Sequence, residues 1–484
     1  MEKKFYITTS IAYVNAPPHI GFALESAQTD VLARYFRKKG KDVFFLTGAD
    51  EHGVKIARAA EAVNKTPEEL VDENSEKFKN LKSALNLSWD GFIRTSDKKI
   101  HWPVAQELWK RLENNGDIYK KIYKGFYCVG HEAFVTKKDL VDGKCVDHQK
   151  EPEVIEEENW FFRLSKYTKE IESRIKNNEL RIVPETRKNE ILSLLNEGLE
   201  DISFSRPRKD LSWGIPVPGD DSQTMYVWAD ALSNYISGRG GIKEWKKYPA
   251  DIHVIGKDIL RFHAAIWLAM LLSAKLPFPK AIYVHGHILS GGQKMSKSLG
   301  NVIDPFELVK KYGVDAVRYF LLREISSTGD GDFSYEKFEE RYNGDLANGL
   351  GNLVARVAAI GEKLGDIKLK NSFFDRLFSS GRKKDLYEKL FNDFKLDKIL
   401  EKIWEEIHDL DKLINSEKPW SEKEEAVLRR KIADYGKKII NIADTLSPFM
   451  PETSKKIKEH FNLSGGILKI KKGVNLFPRL DKMV

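Results

Sequence analysis

Two short segments carry groups suited to handling a polyphosphate. In the first, Pro17-Pro18-His19-Ile20-Gly21-Phe22, a histidine and a glycine sit where an apolar run gives way to helical spacing. A helix N-terminus offers unpaired N–H groups and the positive end of the helix dipole. Gly21 lets a nucleotide approach the backbone closely, and His19 can donate a hydrogen bond as charge builds on a phosphate. In the second, Lys294-Met295-Ser296-Lys297-Ser298, two lysines lie in a loop flanked by Gly291-Gly292 and Leu299-Gly300. Such a loop can close over a triphosphate. Lysines that arrive with the transition state stabilise the charge on a departing pyrophosphate most. Each segment alone also reads as ordinary structure: a capped helix after a Pro-rich turn, and a solvated basic turn.

A third constellation is metal-like. Cys128-x2-His131 and Cys145-x2-His148 are separated by thirteen residues and contain both cysteines of the chain. Two such pairs of soft ligands suit tetrahedral Zn2+ in a structural site, since four protein ligands leave no open position. Two reduced buried cysteines and two surface histidines are the alternative.

These groups need rigid supports. Residues 4–9 read as a buried strand, 21–39 as a helix ended by Gly40, and 43–46 as a second strand leading into Gly48-Ala49-Asp50-Glu51-His52-Gly53. Strand–helix alternation of this kind opens a doubly wound parallel sheet. Thr66-Pro67-Glu68-Glu69 is a capping box with proline at the first helical position. The rhythm breaks near residue 115 and returns at 226–236, 252–255, a helix over 258–274, and 282–284, so an inserted domain splits one sheet. Asp304-Pro305-Phe306-Glu307 caps another helix. From about residue 346 the chain reads as entirely helical, with Ile399, Ile403, Ile407, Leu410 and Ile414 on one bundle-like stripe.

Composition fits this plan. The 484 residues have room for several cores, with 31% charged and 41% hydrophobic residues. Eighty Lys+Arg against seventy-two Asp+Glu leave +8, compatible with RNA but not diagnostic of it. The N-terminus lacks a secretory signal, and no stretch reaches the ~18–20 apolar residues that span a bilayer. A cytoplasmic protein is the simplest reading.

Taken together and in this order, the segments at 17–22 and 294–298 resemble the HIGH and KMSKS motifs of class I aminoacyl-tRNA synthetases. Within that class the chain resembles the methionyl-tRNA synthetases from residue 4 to about 450, through Ser10-Ile11-Ala12-Tyr13-Val14-Asn15, through Tyr226-Val227-Trp228-Ala229-Asp230-Ala231-Leu232-Ser233-Asn234-Tyr235, and through Ile255-Gly256-Lys257-Asp258 followed by Phe262-His263 and Trp267. One position departs: Phe22 stands where the family has a second histidine.

The resemblance implies activation of methionine by ATP, with Mg2+ on the phosphates, and acyl transfer to tRNA(Met). His19, Gly21, Lys294 and Lys297 would be catalytic; Pro18, Gly256, Asp258 and Ser296 would join them around ATP. Ile11, Tyr13, Trp228, Ala231, Leu232, Tyr235, Phe262, His263 and Trp267 would line the methionine side chain, and Asp50 would take its ammonium. Aromatic walls suit a polarizable thioether, and the tyrosine and histidine are expected to aim hydrogen bonds at its sulfur. Asn352, Arg356 and Trp420 would read the anticodon, by base-edge hydrogen bonds and stacking. The implied layout is a Rossmann-type α/β domain in two halves (1–115 and 223–290), a connective insertion with the zinc knuckle (116–222), a KMSKS and stem-contact region (291–345), and an all-α helical-bundle anticodon domain (346–484). Leucyl, isoleucyl and valyl relatives carry large editing domains for which the insertion is too short. A cysteinyl enzyme would spread its zinc ligands through the catalytic halves. The chain leaves no room for a C-terminal dimerising barrel, so a monomer is expected. Two other classes stay open: an adenylating paralogue that charges no tRNA, and a non-catalytic RNA-binding relative, hinted at by Phe22.

Overall fold

The computed structural model describes residues 3–135, 140–147, 149–295, 300–369 and 381–480. The chain divides into two compact units. The first comprises Met1–Pro18, Phe36–Lys82 and Ser88–His285; the second comprises His19–Tyr35, Ser83–Leu87 and Gly286–Val484.

A six-stranded sheet forms the heart of the first unit. Its strands are β1 (Lys4–Tyr13), β2 (Asp42–Asp50), β3 (Gly91–Arg94), β4 (Arg181–Val183), β5 (Ile252–Gly256) and β6 (Ala281–His285), in the spatial order β3-β2-β1-β5-β6-β4. Every pairing is parallel. Parallel strands covered on both faces read as near-continuous apolar runs, as β5 (IHVIG) and β6 (AIYVH) do, with every residue buried. The order reverses between β1 and β5, the place where open α/β sheets bind ligands beyond their strand ends.

The insertion has its own antiparallel sheet, in which Ile118–Cys128 pairs with Glu153–Phe162, flanked by Ala133–Val135 and Ile202–Ser203. One strand inside the expected insertion does not stay there: β4 joins the edge of the parallel sheet beside β6. The helix expected over 258–274 is broken. A tight turn at Lys257–Ile259 and wide, π-type turns over Phe262–Trp267 precede the α-helical Leu268–Ser273. Wide turns of this kind recur at functional sites.

Helix α1 (Ile20–Lys38) opens the second unit's share of the chain, and Gly40 beyond its end takes a positive φ of 76°. Asp30 on α1 meets Arg318 at 2.8 Å, with both side chains fully buried. Arg318 also donates to the carbonyls of Leu85, Pro448 and Phe449. One guanidinium therefore joins four chain segments of this unit, and its charge is paired and hydrogen-bonded as burial demands. The stripe from Ile399 to Ile414 is buried along Leu396–Glu417. The C-terminal part is not entirely helical: Ile367–Lys368, Phe461–Ser464 and Ile467–Ile470 form a small antiparallel sheet. The turn at Gly465-Gly466, both at positive φ, makes its hairpin.

Candidate active site

Tyr13 and Asp50 are register partners at the C-terminal ends of β1 and β2. Asp50 is buried, and its Oδ1 has no hydrogen-bond donor among the described residues. Burial, then the negative charges of Asp230 and Glu132, push its carboxyl well above the ordinary range. A carboxylate so placed lacks a cation. The Tyr13 hydroxyl sits beside Glu132, near Gly53. Gly53 has φ 109°, and a Cβ there would come within 2.5 Å of the Glu132 carboxylate. Oε1 of Glu132 accepts the backbone N–H of Lys55 at 2.9 Å, so the loop after β2 is moulded around this side chain.

Helix α2 (Val227–Ser237) supplies an aromatic wall. The rings of Trp228 and Phe262 stack with centroids 3.8 Å apart, and His263 stands edge-on to Trp228. Ala231, Leu232 and Tyr235 are buried on the same helix. Ile11, Tyr13 and Trp228 pack against the core these residues share. Trp267 is fully buried against Tyr235 and Trp245, with no partner for its Nε1 among the described residues. All ten residues expected at a methionine site thus lie in the first unit.

The polar part of this wall differs from expectation. His263 Nδ1 lies 2.9 Å from the Ile259 carbonyl, which can only accept, so the ring proton is on Nδ1. Nε2 then accepts the Tyr235 hydroxyl at 2.7 Å. In this pairing neither group aims a proton at a substrate sulfur.

A buried network was not foreseen. Asp230 accepts from His52 Nδ1 at 2.6 Å and from His101 Nε2 at 2.7 Å. Burial opposes its charge, yet the two imidazoles hold it below the ordinary carboxylate range. The network ties α2 to the turn after β2. Its one sequence signal is a lone aspartate within an apolar helix.

Within the second unit, the Gly21 N–H donates to Nδ1 of the exposed His19 at 3.0 Å, so the neutral ring carries its proton on Nε2. A Cβ at position 21 would lie 2.7 Å from that ring, so any larger residue there would displace the imidazole. Pro18, in the first unit, is buried just before it. Also in the first unit, Gly256 ends β5, with the exposed Asp258 folded beneath it: a Cβ on Gly256 would meet Asp258 Oδ1 at 2.8 Å. Lys294 pairs through its backbone with Leu289, in a hairpin turned by Gly291 and Gly292, both at positive φ. The Lys294 side chain and all of Ser296 and Lys297 lie outside the described residues.

Donor atoms of Cys128, His131 and Cys145 lie within 4.8 Å of one another. His131 Nδ1 is 3.6 Å from the Cys145 sulfur, while Nε2 is held by Asp147 at 2.9 Å. A carboxylate on the far nitrogen is the usual orienting partner of a metal-binding histidine. Burial pushes the Cys128 thiol up, an unfavourable setting for a thiolate unless a cation is near. The donor set fits Zn2+. His148, the expected fourth ligand, lies outside the described residues.

Asn352 and Arg356 lie one turn apart at the start of Asn352–Gly361. Arg356 donates to Asp411 and Asn415, each at 2.7 Å, and its guanidinium lies 5.4 Å from the ring centre of Trp420. Lys418 ends the preceding helix in the left-handed region, and Pro419 turns the chain so that Trp420 is 55% exposed. Asn352 is exposed. All three expected base-reading residues lie in the second unit.

The sequence matches the family profile described as tRNA synthetases class I (M) over residues 5–146 and 135–358. It is 42% identical to a methionine–tRNA ligase of Thermotoga maritima, over 99% of this chain and 80% of that one. It is 41% identical to one of Brucella suis, over 94% and 91%. A solved structure of Mycobacterium tuberculosis methionyl-tRNA synthetase in complex with methionyl-adenylate superposes with a TM-score of 0.92 at 38% identity, covering 99% of this chain and all of that one.

Proposed function

Since the chain belongs to the methionine–tRNA ligase family of class I synthetases, we propose that its residues divide the two half-reactions of that enzyme as follows. The protein is an ATP-dependent ligase that joins methionine to tRNA. The observation that carries the residue assignment is Asp50: a buried carboxylate with one oxygen lacking a donor, beside a wall of stacked rings. An α-ammonium satisfies it, and the thioether lies against Trp228, Phe262 and Tyr235.

ATP, with Mg2+ as part of the substrate, binds over Gly256 and Asp258. The methionine carboxylate attacks the α-phosphate, and the bond to pyrophosphate breaks. His19, with its proton on Nε2, donates to the phosphates, and Lys294 and Lys297 neutralise the leaving group. The acyl group then passes to the terminal adenosine of tRNA(Met), and AMP leaves. No covalent enzyme intermediate is required; positioning and electrostatics carry the rate. Zn2+, when bound by Cys128, His131 and Cys145 with His148, gives the insertion its rigidity. Asn352, Arg356 and Trp420 read the anticodon.

Among the described residues no helix is long and apolar enough to cross a membrane. Cys128 and Cys145 share the metal-like cluster with His131 rather than a disulfide, which fits a reducing, cytoplasmic compartment. We read the protein as a monomer, for which sedimentation would give the single-chain mass of 55.6 kDa.

The test is methionine-dependent ATP–pyrophosphate exchange, with leucine, isoleucine, valine and cysteine as controls, followed by consumption of the adenylate on adding tRNA(Met). Exchange with methionine alone supports the assignment. Its absence from folded, zinc-replete protein would overturn it and favour an RNA-binding role.

A further inference from the structure

We infer that Asp230 is a positioning residue that fixes the length of side chain the amino-acid site accepts, by joining the turn that carries Asp50 to the helix that carries the aromatic wall. This rests on the ligase reading above and adds to it a determinant of substrate specificity.

An amino acid in this site is held at its two ends by two different elements. Its ammonium meets Asp50, at the end of β2, and its side chain meets Trp228, Leu232 and Tyr235, on α2. The separation of those elements therefore sets which side chains fit. Apolar packing is non-directional, so it sets such a distance less sharply than charge-assisted hydrogen bonds do.

Helix α2 is built with two faces. Trp228, Ala231, Leu232 and Tyr235 follow helical spacing along one of them. Asp230 and Ser237, about two turns apart, share another. The ring of His101, which opens the helix His101–Asn114, lies across that second face. Its Nε2 is 2.7 Å from Asp230 Oδ1 and its Nδ1 is 2.8 Å from Ser237 Oγ. Two fixed points along α2 settle both its rotation and its axial position. The other carboxylate oxygen of Asp230, Oδ2, takes His52 Nδ1 at 2.6 Å. All four side chains are buried.

The turn after β2 is gripped on its other side as well. Glu51 is bound to Arg94 at 2.6 Å and to the hydroxyls of Ser75 and Ser96, and its N–H donates to Thr95 Oγ1 at 2.7 Å. In the run Asp50-Glu51-His52, the last two side chains are thus tied to the fold. Asp50 alone keeps an oxygen without a donor among the described residues. The main-chain N–H of His52 donates to the Asp50 carboxylate, so a displaced imidazole moves the group that receives the ammonium.

Asp230 also acts through its charge. Asp50 is faced by Asp230 from α2, by Glu132 from the insertion, by the Tyr13 hydroxyl from β1 and by Glu51 in its own turn. After burial, the Asp230 charge does most to keep a proton on Asp50. Substitution separates position from charge. In Asp230→Asn the amide oxygen accepts from His52 and the amide N–H donates to His101, whose other nitrogen then gives its proton to Ser237. The geometry is kept and the charge is lost. Asp230→Glu keeps the charge and lengthens the arm by one methylene.

The test is pyrophosphate exchange by the full-length protein with methionine, with ethionine, longer by one carbon, and with S-methylcysteine, shorter by one; thermal melting checks that each variant is folded. Asp230→Glu is expected to raise kcat/KM for ethionine relative to methionine about tenfold, chiefly through KM. Asp230→Asn is expected to keep the wild-type ratios within about twofold, while the acid limb of methionine use moves to lower pH. The direction follows from the lost charge: the Asp50 proton leaves more readily, and only ionised Asp50 pairs with an ammonium. Wild-type ratios in folded Asp230→Glu overturn the inference. So does Asp230→Asn with altered ratios or an unmoved limb, whether or not the longer variant folds. No methionine exchange by the wild-type protein overturns the ligase reading and the inference with it.

Discussion

The hydroxyl of Tyr235 lies 2.7 Å from Nε2 of His263, and the direction of that bond is set elsewhere, by the Ile259 carbonyl on Nδ1. Tyr235→Phe leaves a buried acceptor without a donor, a loss of about 1–3 kcal/mol. The expected result is a rise of about tenfold in the methionine KM in pyrophosphate exchange. Discrimination against leucine and isoleucine is expected to hold, because the stacked Trp228 and Phe262 remain to fit the thioether.

Asp50 should set an acid limb for methionine use. Its carboxyl is raised well above 3.8 in the empty site, and only the ionised form pairs with an ammonium. Binding therefore releases a proton, and kcat/KM for methionine rises with pH until the raised pKa is passed. The limb should lie above the ordinary carboxylate range. Asp50→Asn should remove it and lower kcat/KM by roughly a hundredfold or more, as loss of a buried charge partner does. Exchange rates from pH 5 to 8 would read both.

Zinc removal should reach further than the insertion. Emission analysis is expected to find about one zinc ion per chain, lost in Cys128→Ser. Glu132 follows His131 directly and holds the Lys55 N–H near Tyr13. The metal-free protein should thus show a methionine KM raised severalfold, besides impaired transfer. An unchanged KM would separate the knuckle from the pocket.

Trp420→Ala should weaken tRNA without touching activation. A stacked base is worth about 1–3 kcal/mol, so the KM for tRNA(Met) should rise about 5- to 100-fold while exchange is unchanged. Arg356 lies 5.4 Å from that ring and is fixed by Asp411 and Asn415, so Asp411→Ala should reproduce part of the effect.

His253 should make stability fall in mild acid. Burial holds its pKa well below 6.5, with His263 adding to the effect, while the unfolded chain titrates normally. The unfolded state then binds the extra proton below 6.5, so stability is complete above that pH and declines beneath it. The slope is at most about 1.4 kcal/mol per pH unit. Tm compared at pH 7.5 and 5.5, with His253→Gln as control, measures it.

Much of this was legible in the sequence because it was local. The capping box is realised in both directions: Thr66 N–H donates to Glu69 Oε2, and Glu69 N–H donates to Thr66 Oγ1. Asp304 caps its helix by accepting from Phe306 N–H at 2.7 Å. What escaped was either short or distant. β4 is three residues long, too few for a period to show. The C-terminal hairpin alternates Ile467, Leu468, Lys469 and Ile470 over a span that a bundle reading absorbed. The Asp230 network joins residues 178 and 129 positions apart, and no spacing rule reaches that far. The wide turns at Phe262–Trp267 change the facing of His263 in a way that apolar content alone does not encode.

The buried Arg318 sets an order on synthesis. Helix α1, which carries the residues after His19, is made well before Arg318, and its Asp30, already paired with Arg34 one turn on, gains this second guanidinium only when the carbonyls of Pro448 and Phe449 are there to hold it. Contacts of such long range form late and slowly. A product truncated before residue 448 therefore lacks two of the three carbonyls that hold Arg318 against α1. A chain released between residues 318 and 448 thus carries a guanidinium bound for burial with two of its acceptors missing, and α1 is left with one of its ties unmade.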